Sequence, residues 1–129
     1  MRLEQQVCSL ELAKKLKELG VKQESLFYCV IDLMGGGLEN ELKYGEMPED
    51  HYSWSFASAF TVAELGEILK KHGNFISGYG LDTEKEYYCT RVSLPEFEIW
   101  SENFVEADTE ADARAKMLVY LLENKLISL

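Results

Sequence analysis

The chain has 129 residues, of which 23 are acidic and 13 basic, so it carries a formal charge of −10, and 47% of it is apolar. Domains cluster at roughly 100–150 residues, so one domain (1–129) is expected, with a core that needs no metal or disulfide staple. The acid surplus argues against binding a nucleic-acid backbone or an anionic membrane surface, because both recruit clusters of Lys and Arg.

No stretch reaches the roughly 18 consecutive apolar residues of a membrane span. Met1-Arg2-Leu3-Glu4-Gln5-Gln6 has no apolar run behind its single positive charge, so it does not read as a secretory signal and a cytoplasmic address is expected. Cys8, Cys29 and Cys89 form an odd set with no C-x-x-C spacing, which fits reduced thiols better than a disulfide framework.

The first periodic segment runs from Ser9 to Gly20, with Leu12, Leu16 and Leu19 at helical spacing and the lysines on the other face. Ser9 suits the N-cap, Gly20 the C-terminal stop, and Glu11 can pair with Lys15 one turn on. Leu26 to Leu33 is rich in β-branched and aromatic residues on both faces and predicts a central strand. Gly35, Gly36 and Gly37 end it. The segment Leu38 to Asp50 is rich in Gly, Pro and Glu; it predicts a mobile surface loop with a short edge strand near Leu42 to Tyr44.

From His51 to Ala59, Tyr52, Trp54 and Phe56 alternate with Ser53, Ser55 and Ala57, the pattern of a half-buried strand whose aromatic side lies under helices. Thr61-Val62-Ala63-Glu64 then forms a capping box, with Phe60 placed to staple onto Leu65, so a helix starts there. It ends at Lys70-Lys71-His72-Gly73, where cations complement the dipole. A glycine-punctuated link containing Gly78 and Gly80 leads to a third strand, Tyr87 to Leu94, which Pro95 breaks. Phe97 to Val105 predicts a fourth strand. A closing helix starts at Asp108 or Thr109, with Asp112 as the acidic arm of a cap, and runs to about Glu123 on a core face of Ala111, Ala115, Leu118 and Leu122.

The expected architecture is therefore α+β, in the order α-β-β-α-β-β-α. A mainly antiparallel sheet of about four strands would be packed by helices in a two- or three-layer sandwich. Ala59-Phe60-Thr61-Val62-Ala63-Glu64-Leu65 and the closing helix Ala107-Asp108-Thr109-Glu110-Ala111-Asp112-Ala113-Arg114-Ala115 carry a resemblance to small proteins of tailed phages and prophages. Among named families the chain from Ser9 to Asn124 is most similar to the phage ABA-sandwich domain. That resemblance implies a helix-and-sheet layered module, and it assigns no activity to any residue here.

No constellation names a chemistry. A thiol nucleophile would need Cys29 or Cys89 beside His51 or His72, yet both cysteines sit in apolar strands, so buried core thiols are the favoured reading. Glu46, Glu49, Asp50 and His51 lack every metal-binding spacing, and no metal or cofactor is expected. The glycine triplet lacks the Lys-Ser/Thr of a phosphate loop. Tyr52, Trp54 and Phe56 lack the interleaved cations of a base-stacking platform. The expected function is an accessory role through binding a partner protein without catalysis, with Glu39, Glu41, Glu46, Glu49 and Asp50 as the contact acids and self-association left open. The competing expectation is an enzyme acting on a small molecule or nucleotide at a sheet edge, around Tyr87, Arg91 and the 38–50 loop.

Overall fold

A computed structural model describes residues 2–33, 41–82, 85–93 and 104–129. In chain order the elements are α1 (Leu3–Gln6), α2 (Leu10–Glu18), β1 (Phe27–Asp32), β2 (Leu42–Tyr44), β3 (Trp54–Ser58), α3 (Val62–His72), β4 (Asn74–Asp82), β5 (Lys85–Ser93), β6 (Phe104–Ala107) and α4 (Glu110–Glu123). The α+β class and the antiparallel pairing are as expected. The order and the sheet count differ: a short α1 precedes α2, three strands precede α3 and three follow it, and among the described residues two three-stranded sheets form, ordered β2-β1-β3 and β4-β5-β6, where the order α-β-β-α-β-β-α with one sheet of about four strands was expected.

The first sheet follows the sequence pattern closely. β1 is central and pairs antiparallel with β2 and β3, and β2 is the short edge strand expected at Leu42 to Tyr44. The aromatic side of β3 does not lie under helices, however. Ala57 is fully buried in the main core cluster, whereas Phe56, on the opposite pleat, stacks edge-on with Tyr28 at 5.7 Å. The small side chains face the helices because α2 approaches β3 closely enough for its Lys17 to bond the β3 backbone.

The second sheet contains the largest departure. The segment read as a glycine-punctuated link is β4, paired with β5 from Asn74↔Ser93 to Asp82↔Lys85. Gly78 stands opposite Cys89, and a Cβ there would lie 3.2 Å from the Cys89 Sγ, so the glycine makes room for its cross-strand neighbour. Phe75 packs on the core cluster while Ile76, one pleat over, stays 58% exposed. Of the expected fourth strand, Phe97 to Val105, only its end lies in β6; residues 94–103, with the break at Pro95, lie outside the described residues.

The helices join the two sheets. α2 packs on β3 and on α4, and α4 packs on α3, β5 and β6. α4 buries Ala111, Ala113, Ala115, Met117, Leu118, Val119 and Leu121, a wider face than the expected Ala111, Ala115, Leu118 and Leu122, and leaves a stripe of Asp112, Lys116, Tyr120 and Glu123 half-buried or exposed. Leu16, Leu65, Leu69, Leu118 and Ala57 belong to one cluster, against which Ile31 of the first sheet and Phe75 and Val105 of the second also pack. Among the described residues no helix is long and apolar enough to cross a membrane.

Candidate functional site

Lys17 is the pivot of the site. It follows Ala13 by one turn at the edge of the buried stripe of α2, so its stem runs along the core and its ammonium emerges over β3. There its Nζ donates to Asp50 Oδ1 at 3.0 Å and Oδ2 at 2.9 Å, to Ser55 Oγ at 3.0 Å and to the Phe56 carbonyl at 2.7 Å. Ser55 Oγ in turn donates to Asp50 Oδ1 at 3.0 Å, and the Phe56 amide donates to the same oxygen at 3.1 Å. The hydrogen bond from Lys17, helped by those from Phe56 and Ser55, holds the Asp50 carboxyl below its ordinary carboxylate value.

This clamp fixes the start of a tight turn. The His51 amide donates to the Trp54 carbonyl at 2.7 Å and the Trp54 amide returns a bond to the His51 carbonyl at 3.2 Å. The Ser53 amide donates to His51 Nδ1, and the Leu33 amide donates to the Ser53 carbonyl at 3.0 Å, which ties the turn to the end of β1. Tyr52 stands at the tip, 81% exposed and stacked on His51 with ring centroids 4.2 Å apart. Leu33 beside it is 55% exposed. A cavity of about 480 Å³ opens here, lined by Lys14, Lys17, Glu18, Ile31, Leu33, Asp50 and Ser55.

The acids expected to contact a partner divide into three groups. Asp50 is exposed but bonded within the chain to Lys17, Ser55 and the Phe56 amide, and Glu41 pairs with Lys43 at 2.7 Å, raising the lysine's pKa. Glu46 and Glu49 are exposed, as expected. Glu39 lies outside the described residues, as does the glycine triplet. Within 41–50, β2 pairs with β1, the Gly45 amide donates to the Leu26 carbonyl and Asp50 is bonded to Lys17.

The described parts of the enzyme expectation lie on different sheets. Tyr87 and Arg91 belong to β5 of the second sheet, while Leu42 to Tyr44 pair with β1 in the first. Burial pushes the Cys8 thiol up to about 12 and raises that of Cys29 as well, which keeps both as neutral thiols at physiological pH. Ser55 donates its proton to a carboxylate that already neutralises Lys17, so the trio lacks a free base to activate the hydroxyl. Among the described residues no three His, Cys, Asp or Glu side chains stand together as a metal site.

A second cleft, also of about 480 Å³, lies between α3 and the α2–β1 link, over Val21, Phe60 and Ile68. Among its charges Lys22 pairs with Glu24, and Glu64 accepts from the Thr61 and Leu26 amides, while Glu67, Lys71 and His72 also line it. Lys17, Ser55, Ile31 and Leu33 were not legible as site residues in the sequence. The one local signal was the position of Lys17 one turn after a buried alanine. Compared with protein-family models, curated proteins and solved structures, the chain matches none.

Proposed function

We propose that the protein is a non-catalytic binding module that engages a partner protein through the clamped turn at Tyr52. The observation that carries this reading is the pairing of an 81% exposed tyrosine with a turn held by the Asp50 clamp and its own backbone bonds. A rigid aromatic anchor loses little conformational entropy on binding, and such residues dominate interface energetics. The adjacent cavity gives a partner side chain somewhere to go. An accessory role of the kind phage-encoded proteins fill, in a reducing compartment, fits the sequence likeness to the phage ABA-sandwich domain and the three unpaired cysteines.

The test is photo-crosslinking from position 52. A photoreactive phenylalanine analogue in place of Tyr52, incubated with an extract of the source cells, is expected to capture a protein that wild-type chain competes off and the Tyr52→Ala variant does not. Capture from a control analogue at Ile68 with none from position 52, or equal competition by Tyr52→Ala, would overturn the reading.

A further inference from the structure

We infer that β4 is the strand through which two copies of the chain pair, antiparallel and edge to edge, into one continuous sheet. Among the described residues the two sheets have four edge strands, and three of them are blunted. β2 has only three residues and presents Lys43. On β3 the Phe56 carbonyl accepts from Lys17, the Phe56 amide donates to Asp50 and the Ser58 amide donates to Gln23. β6 has four residues, and its Glu106 carbonyl accepts from Lys116. The sequence of β4 carries none of the usual edge protection. It runs for nine residues from Asn74 to Asp82 without Lys, Arg or Pro, and it pairs with β5 residue for residue without a bulge.

The strand also fits a second copy better than a foreign peptide. An antiparallel pair with its two-fold axis at Gly78 overlaps the whole strand, setting Asn74 beside the other copy's Asp82 and Ile76 beside the other copy's Gly80. Ile76 is exposed, and a glycine across from it leaves room for the side chain and for close backbone approach. Charge runs in the same sense. Lys70, Lys71 and His72 close α3 just before β4, whereas at the other end Asp82 and Glu86 outnumber Lys85. Antiparallel pairing brings the basic end of each copy to the acidic end of the other, and parallel pairing would set like ends together. A net charge of −10 makes two copies repel, but β4 is uncharged from Asn74 to Leu81, so pairing there adds no like-charge contact along the strand.

The experiment uses the intact chain. Sedimentation is expected to show a mass that rises with concentration from 14.8 kDa toward twice that value, and amide exchange over Phe75 to Leu81 is expected to slow as the dimer fills. Lys70→Glu with Lys71→Glu makes both ends acidic, and Asp82→Lys with Glu86→Lys makes both ends basic. Each double variant is expected to be monomeric alone, and an equimolar mixture of the two to regain the dimer, because the mixed pair is complementary at both ends. A wild-type chain still monomeric at about 1 mM, the weak limit of useful affinity, would overturn the inference. So would a dimer without slowed exchange over Phe75 to Leu81, double variants that dimerise alone, or folded variants whose mixture stays monomeric. The exchange measurement needs only the wild-type chain, so it decides the matter even where a variant does not fold.

Discussion

At the residue scale, two aspartates have opposite consequences for acid stability. Lys17 depresses the folded-state pKa of Asp50, so its stabilisation is present above the unfolded value and lost as pH falls through the lower folded value. Asp112 is the reverse. Burial raises its pKa although it accepts the Ser9 amide at 2.7 Å, so the folded state binds its proton first and stability rises as pH falls from the raised value to the unfolded one. Acid titration of the urea midpoint should therefore show a small gain and then a loss. Asp112→Asn is expected to remove the gain and Asp50→Asn to remove part of the loss; an unchanged acid limb in Asp50→Asn would show that the clamp contributes nothing. Gly66 offers a separate test. A Cβ there would lie 2.5 Å from Arg114 Nη1, which donates to the Val62 carbonyl at 2.7 Å while Nε bonds Ser77 and Nη2 bonds Glu110. Gly66→Ala gains about 1 kcal/mol of helix propensity but displaces a charge-assisted bond worth about 1.5–3 kcal/mol, so a net loss of about 1 kcal/mol is expected in urea melts.

At the element scale, what was legible was what is local. The Thr61 capping box is present with both reciprocal bonds, 3.1 Å to the Glu64 amide and 2.9 Å to the Thr61 amide, because every participant lies within four residues. Thr61→Ala is expected to lower stability by about 1 kcal/mol, read as a shift in urea midpoint. The Asp112 cap was half right: Thr109 accepts from the Asp112 amide, but the Asp112 carboxylate serves Ser9, 103 residues away. No sequence window holds that pairing. β4 was missed for a related reason, since Gly78 and Gly80 weaken strand propensity and only the register with β5 compensates. Lys17 looked like one more solvated lysine because Asp50, Ser55 and Phe56 are brought to it by the fold and not by spacing. Tyr52 was read as core because alternation identifies two faces of a strand without saying which is covered, and the observed strand begins only at Trp54.

At the scale of the whole molecule, both sheets lean on one helical core, and this sorts the three thiols. Cys8 and Cys29 are buried on the helix side, whereas Cys89 is half-buried on the face of the second sheet that carries exposed Ile76. A thiol reagent applied to the native chain is expected to label Cys89 first, with Cys8 and Cys29 reacting only on unfolding; early labelling of Cys8 would contradict the packing of the N-terminal segment against Phe60. The same core holds α2 and β3 together, so the turn at Tyr52 is braced by the main body of the protein through Lys17 and Asp50. Amide hydrogen exchange of the chain with and without its crosslink-identified partner tests whether the turn at Tyr52 is the binding surface. New protection is expected at Leu33 and across His51 to Trp54, lost in Tyr52→Ala. Protection confined to Gly20 to Glu24 and Glu67 to His72, around the other cleft, with His51 to Trp54 unchanged, would contradict it.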